Sequence, residues 1–280
     1  MEFGGGENEN IFEKIMKNHI VGTNVIIKKN TVVKTTTPEL ARIELKKMIM
    51  GRSISERCDL FRVPEVYDYD EKNGIIVLER IHGLRGIGRS NDSKNLYNNM
   101  IIKAGLSLAT IHNHMSLPDD MKIIIDKDID FSGNKIFMHG DFSVENVCTI
   151  DNSPGALAII DWQMTSMHEG KATYGTRYFD IAWFINNLFS KPIYKYIFRH
   201  NVDDTAKLFI DAYFGACSDA NCNVNEFSEY LRVFFHNKLQ ERKNSHHWVR
   251  KVLLLYGHNS WGKFNNLIQL ENTRVKNERE

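Results

Sequence analysis

Charge of one sign is the first thing this sequence lacks. Its 280 residues carry 36 Lys and Arg against 35 Asp and Glu, a formal net charge of +1. The molecule as a whole therefore does not present the one-signed field that holds nucleic acid. Long apolar runs are missing too: none approaches the roughly 18 residues of a membrane span. The opening MEFGGGENEN has no basic-then-apolar leader pattern. Cysteine is scarce, and Cys58, Cys148, Cys217 and Cys222 form neither a CxxC pair nor a dense framework. They read as reduced thiols of a cytoplasmic protein. No GxxxxGK[ST] sequence occurs; Gly4-Gly5-Gly6 has no strand before it and no GK[ST] after it, so it lacks the context of a phosphate loop. Internal repeats and low-complexity segments are absent. What is present is a globular composition, 42% hydrophobic and 25% charged, enough to build one large domain or two lobes around a cleft.

The first 80 residues read β-β-α-β-β. Val25-Ile26-Ile27-Lys28 and Thr31-Val32-Val33-Lys34 are β-branched and separated by Lys29-Asn30, which predicts a hairpin. Thr37 can cap the helix that follows, Pro38 fits its first turn and Glu39 suits its positive end. Leu40, Ile43, Met48 and, less regularly, Leu45 supply its apolar side. Val63-Pro64-Glu65-Val66-Tyr67 and Gly74-Ile75-Ile76-Val77-Leu78-Glu79 predict two more strands around the turn 70–73. After Ile81-His82-Gly83 the character changes. Residues 86–95 are polar and loop-like, a helix is predicted over about 95–115, and from 175 onward the pattern is mostly helical and aromatic-rich. The expected organisation is α+β: a small N-terminal β-sheet lobe with one helix over 1–82, then a larger, mainly helical lobe over 83–280.

The stretch that carries chemistry is His139-Gly140-Asp141-Phe142-Ser143-Val144-Glu145-Asn146. A strand, Val147-Cys148-Thr149-Ile150, a turn over 151–155, and a second strand ending in Ile159-Ile160-Asp161-Trp162-Gln163 follow it. A tight hairpin returns the chain to its start, so Asp161 lands beside the loop that holds Asp141 and Asn146. Two carboxylates that close repel, and hard oxygen donors of this kind suit Mg²⁺. Phosphoryl transfer needs such parts: a carboxylate to orient and deprotonate the attacking hydroxyl, ligands for the metal, a lysine for the phosphates and an acid to hold that lysine. Asp141 is the candidate base, Asn146 and Asp161 the candidate metal ligands, Lys34 the phosphate lysine with Lys28 and Lys29 as rivals, and Glu44 its partner on the helix.

The sequence resembles the aminoglycoside phosphotransferase and choline kinase-like enzymes, a branch of the protein-kinase fold. His139-Gly140-Asp141 through Asn146 fits that family's HGDxxxxN loop, and Ile159-Ile160-Asp161-Trp162 fits its IDW or IDF metal segment. Lys34 with Glu44, Leu108-Ala109-Thr110-Ile111-His112 and Tyr178-Phe179-Asp180-Ile181-Ala182 fit its strand lysine and helix glutamate, its "LAxLH" helix and its "DLA" segment. The resemblance covers roughly residues 22–190. It implies a two-lobed protein-kinase-like fold and an ATP- or GTP-dependent, Mg²⁺-dependent transfer of phosphate to a small-molecule hydroxyl. It also implies that Glu79 and Ile81, in the segment joining the lobes, offer backbone groups to the nucleobase, that His139 braces the loop, and that Asp180 anchors it. Where the family's hairpin turn carries glycine and serine, only Gly22-Thr23-Asn24 precedes the first strand here. The HRD, DFG and APE segments of protein kinases are missing, which argues against a protein substrate.

The acceptor is read from charge. From Arg232 onward the chain carries Lys238, Arg242, Lys243, Arg250, Lys251, Lys263, Arg274, Lys276 and Arg279, so a neutral or anionic acceptor is expected rather than a polycation. Trp183, Phe184, Tyr194, Tyr196, Trp248 and Trp261 can stack on a sugar ring or serve as core. The competing readings are a nucleotide-binding pseudokinase scaffold and a metal-dependent phosphohydrolase. The intact acids argue against the scaffold. The hydrolase would need more metal ligands than the sequence offers.

Overall fold

A computed structural model describes residues 24–89, 93–124, 131, 135–151, 153–164, 170–190, 202–217 and 222–243. The first two strands form as expected: β1 (Asn24–Ile27) and β2 (Thr31–Thr35) pair antiparallel with Val25 opposite Lys34, and the Lys28 N–H donates to the Thr31 carbonyl at 2.8 Å to close the turn. Helix α1 (Pro38–Ser55) starts where Thr37 caps it, its hydroxyl accepting from the Leu40 N–H at 3.3 Å. Strands β3 (Val66–Asp70) and β4 (Ile75–Glu79) complete a four-stranded antiparallel sheet in the order β1-β2-β4-β3. Val33, Lys34, Ile75, Ile76 and Leu78 are its buried side chains, whereas all four residues of β1 are exposed at the edge.

One boundary differs from the sequence reading: β3 begins at Val66, not Val63. Pro64 has no N–H for a ladder, and the chain just before it is committed elsewhere. Arg62 forms a parallel bridge to Ala158 of the other lobe, with its N–H on the Leu157 carbonyl at 2.9 Å and its carbonyl taking the Ile159 N–H at 2.9 Å. These two bonds stitch the lobes together.

The second lobe opens with β5 (Leu84–Gly86) and a 3₁₀ turn (Ile87–Arg89) where the polar sequence reads as loop. Three residues are too few to show a period, and β5 exists because β7 (Val147–Ile150) takes it as a partner, Gly86 opposite Cys148. Helix α2 (Lys94–His114) buries Met100, Ile101, Ala104, Leu108 and Ile111. Strand β6 (Lys135–Phe137) pairs with β9 (Tyr174–Thr176), and β7 pairs with β8 (Ser153–Ile159), Val147 opposite Ile159. Helices α3 (Tyr178–Ser190), α4 (Val202–Ala216) and α5 (Val224–Lys243) follow. Phe142, Phe184 and Phe209 meet in the core of this lobe, the last two stacked with ring centres 4.1 Å apart. Among the described residues no helix is long and apolar enough to cross a membrane. Residues 1–23, Tyr194, Tyr196, Trp248, Trp261 and the basic positions from Arg250 onward, for which the sequence carried expectations, lie outside the described residues.

Gly51 marks a tight packing contact between the lobes. The indole of Trp162, fully buried, lies against α1 so tightly that a Cβ at Gly51 would sit 2.4 Å from its ring. Gly51→Ala therefore lowers stability by about 1–3 kcal/mol through overpacking, although alanine's helix propensity alone favours it by about 1 kcal/mol. Gly215, near the end of α4 with open space around its Cα, is the control: Gly215→Ala raises stability by up to about 1 kcal/mol. Denaturant unfolding of the two variants checks both signs.

Candidate active site

The site begins at the register of β7 and β8. The two strands run out at Val147 and Ile159, but the Ile160 N–H still donates to the Asn146 carbonyl at 3.0 Å. Asp161 is the next residue, so the hairpin itself delivers it to the mouth of the loop. There Asp161 adopts φ 57°, the one left-handed non-glycine residue among those described. Aspartate tolerates this region better than most side chains, and such strain collects at functional sites. Asp161 is only part-buried, its side chain 43% exposed, and its Oδ1 accepts from Lys34 Nζ at 2.8 Å.

Lys34 comes from the other lobe. β2 turns its side chain inward, 8% exposed, and Nζ also donates to Glu44 Oε1 at 2.5 Å. Burial alone would disfavour the ammonium, but Glu44 and Asp161 outweigh it and hold the Lys34 pKa above its usual value. Lys28 and Lys29 make no such contact. Glu44 is 1% exposed, and its second oxygen is buried with no hydrogen-bond partner among the described residues.

Across the loop, Asp141 is held at both oxygens. Asn146 Nδ2 donates to Oδ2 at 2.8 Å and to the Asp141 carbonyl at 2.9 Å, and Trp183 Nε1 donates to Oδ1 at 2.6 Å. Burial pushes the Asp141 pKa up to about 7, against the Trp183 and Asn146 hydrogen bonds, with Asp161 adding to the rise. A carboxylate titrating there is suited to take a proton at neutral pH. Trp183 is half-buried, stacked nearly parallel on Phe179 one turn earlier in α3.

The loop backbone is pinned from behind. Asp180, fully buried, accepts from the His139 and Gly140 N–H groups at 2.8 Å each and is 3.0 Å from His112 Nε2. A carboxylate only accepts, so His112 carries its proton on Nε2 and takes the Tyr213 hydroxyl on Nδ1 at 2.8 Å. Burial works to raise Asp180, but the His112 contact and the Gly140 N–H hold its carboxyl below the usual range. Gly140 has φ 88°, and a Cβ there would lie 2.6 Å from the Met164 sulfur. His139 is fully buried; burial, with the nearby Lys47 charge, depresses its pKa to about 3. Lys47 itself, on α1, donates to the His139 carbonyl from a position with no exposure at all.

In the joining segment the side chains serve structure. The Glu79 carboxylate is bound to Arg62 at 2.7 and 2.8 Å, and its N–H donates to the Glu65 carbonyl. Arg80 is tied to the hairpin turn through Asn30 and Lys28. The Ile81 backbone makes no hydrogen bond among the described residues.

Besides the buried second oxygen of Glu44, Asn146 Oδ1 and Asp161 Oδ2 are the oxygens of this cluster with no protein partner among the described residues. Two hard donors at the cleft fit a Mg²⁺ that takes its remaining ligands from water and phosphate. No group of three His, Cys, Asp or Glu among the described residues is arranged to hold a metal. Two residues of the cluster escape the motif reading. Lys47 is a charged residue four past Ile43 and seven past Leu40, on the apolar side of its own helix, and that misplaced charge is the signal. Trp183 is visible only as an aromatic next to the Asp180 segment, and nothing in the sequence aims its N–H at Asp141.

No protein-family model matches the chain, and no curated protein matches it. Solved structures do. The streptomycin–ATP ternary complex of APH(2″)-IIa matches with a TM-score of 0.53 at 12% identity, over 89% of this chain and 97% of that one. Glucosamine kinase matches with a TM-score of 0.52 at 13% identity, over 93% of this chain and 78% of that one. The shared feature at such identity is the fold: a two-lobed, kinase-like architecture with a small antiparallel sheet ahead of a helical lobe.

His139 makes the fold acid-sensitive. Its folded pKa is depressed to about 3, so it stays neutral in the native state while the unfolded residue protonates below about pH 6.5. Its contribution is fully present above that value and is lost as pH falls toward 3. The stability difference between wild type and His139→Leu should shrink by about 1.4 kcal/mol per pH unit below pH 6.5, as read by urea unfolding from pH 7.5 to 4.5.

Proposed function

We propose that the protein is a nucleoside-triphosphate- and Mg²⁺-dependent phosphotransferase acting on a small-molecule hydroxyl, of the aminoglycoside phosphotransferase and choline kinase-like family. One observation carries this reading. Lys34 bridges Glu44 of its own lobe and Asp161 of the other, beside a loop aspartate held at both oxygens. A bare structural cluster has no need to leave Asp161 half exposed and Asn146 Oδ1 unpartnered; a site that receives a metal triphosphate does.

Each residue then has a role. Asp141 accepts a hydrogen bond from the acceptor hydroxyl and takes its proton as the oxygen attacks the terminal phosphorus. The bond from that phosphorus to the bridging oxygen breaks, and nucleoside diphosphate leaves. Lys34, kept charged and fixed by Glu44, faces the nucleotide phosphates. Asn146 and Asp161 hold Mg²⁺, which when bound neutralises phosphate charge. The backbone of Glu79 and Ile81 offers groups to the base of ATP or GTP, in keeping with the unused Ile81 amide. Trp183 aligns Asp141 and gives the acceptor side an aromatic wall. The acceptor itself is proposed to be neutral or anionic, such as a sugar or glycan precursor, on the charge of the chain from Arg232 onward.

With Mg²⁺ and γ-labelled ATP or GTP, wild type should transfer label to one of a panel of hydroxyl acceptors (neutral sugars, sugar phosphates, glucosamine, kanamycin). Asp141→Ala should bind nucleotide as before and transfer about 10²–10⁴-fold more slowly. Nucleotide binding with no transfer to any acceptor would point to a scaffold, and phosphate release from phosphomonoesters without nucleotide would point to a hydrolase. Trp183→Phe keeps the ring but deletes a hydrogen bond that favours charged Asp141. Its kcat should fall about tenfold at pH 7, with nucleotide KM unchanged and the acidic limb of the rate profile moved to higher pH.

A further inference from the structure

Lys47 is used by none of the steps above, yet it carries an ammonium group wholly out of water beside the site. Its side chain is completely buried on α1, three residues after Glu44. Its ammonium has three protons to donate and, among the described residues, makes a single hydrogen bond, to the His139 carbonyl. It lies against the catalytic loop: a Cβ at Gly140 would come within 3.4 Å of Lys47 Nζ. An apolar side chain of that length would cost far less in such a position, and apart from Glu44 the other buried residues of α1 are apolar or glycine: Ala41, Ile43, Leu45, Met48, Gly51 and Ile54. What sets this interior apart is its acids. Glu44, Asp141, Asp161 and Asp180 all act favourably on the Lys47 charge, and burial lowers its pKa only to about 8, so it remains a cation at neutral pH.

We propose that Lys47 is a positioning residue with two linked roles: it ties helix α1 of the first lobe to the His139 carbonyl of the catalytic loop, and it adds to Lys34 a second resident cation that offsets the carboxylate charge around that loop before any metal arrives. Helix α1 thus grips the far lobe at two heights, through Glu44–Lys34–Asp161 and, one turn on, through Lys47–His139. Movement of the helix is transmitted to the base and to the metal segment together. Only the second role rests on reading Asn146 and Asp161 as metal-facing.

Two substitutions in the full-length protein separate the roles. Lys47→Met keeps the length and loses both charge and N–H. Lys47→Gln keeps an N–H for the His139 carbonyl and loses the charge. Without nucleotide or metal, hydrogen-exchange mass spectrometry should show residues 137–146 exchanging at least about tenfold faster in Lys47→Met and within about twofold of wild type in Lys47→Gln. Calorimetric titration with Mg²⁺ alone should show both variants binding about fivefold or more tightly than wild type, because one resident cation fewer opposes the ion. A merely packed side chain would move neither readout in this pattern. Wild-type exchange over 137–146 in Lys47→Met, beside a lowered melting temperature, would reduce Lys47 to a core residue and overturn the proposal. Equal Mg²⁺ affinity in Lys47→Gln and wild type would overturn the charge role. If wild type binds no Mg²⁺, the metal assignment of Asn146 and Asp161 falls, and the exchange measurement still decides Lys47. Should Lys47→Met fail to fold, the Mg²⁺ affinity of Lys47→Gln decides alone, tightening in favour and no change against.

Discussion

Everything at this site depends on one lysine satisfying two carboxylates that belong to different lobes. Lys34 and Asp161 are 127 residues apart, and their 2.8 Å contact exists only if the four-stranded sheet and the β7–β8 hairpin face each other across the cleft. A buried ammonium left without partners would be prohibitively costly, so the contact specifies the arrangement as much as it stabilises it. Glu44 closes the geometry from the helix side. The exposure of Asp161 leaves one end of the chain of charges open to the cleft, where an incoming ligand can share it.

Around that bridge the protein concentrates polar groups that an ordinary core would exclude. Asp180, His112, His139 and Lys47 are all buried in one region behind the loop. Three of their hydrogen bonds hold the loop backbone: two N–H groups on Asp180 and one carbonyl on Lys47. The result is a loop whose path from His139 to Asp141 is set by side chains rather than by strand or helix pairing. Gly140, left-handed and crowded by Met164, is the residue that lets the path turn. The apolar surroundings, with Trp162 against α1 and Phe142 against Phe184 and Phe209, keep water from competing for these bonds.

Much of this was legible in the chain. The hairpin around Lys29-Asn30, the Thr37 cap, helix α2 and the strand–turn–strand after Asn146 appear within a few residues of where their local patterns put them. Period and capping are short-range physics that any window of the sequence contains. The errors have one source. β3 starts three residues late because Arg62 is taken by Ala158, and β5 is strand because Val147–Ile150 needs a neighbour. Both are decided by a partner distant in sequence, about which a local pattern carries no information.

By itself the sequence determined which chemical groups are available and, through the hairpin between Asn146 and Asp161, that three oxygen-bearing side chains would meet; the return of a tight hairpin is local geometry. Only the tertiary structure decided which lysine joins them, which groups are dry and which are wet, and therefore which are charged. Lys28, Lys29 and Lys34 are chemically identical in the sequence, as are Lys47 and any surface lysine. Burial and proximity to carboxylates tell them apart, and both are sums over residues from every part of the chain. Asp141 owes its raised pKa to the same cause, since the desolvation that lifts it, against the hydrogen bond from Trp183, exists only once the second lobe has closed around the loop.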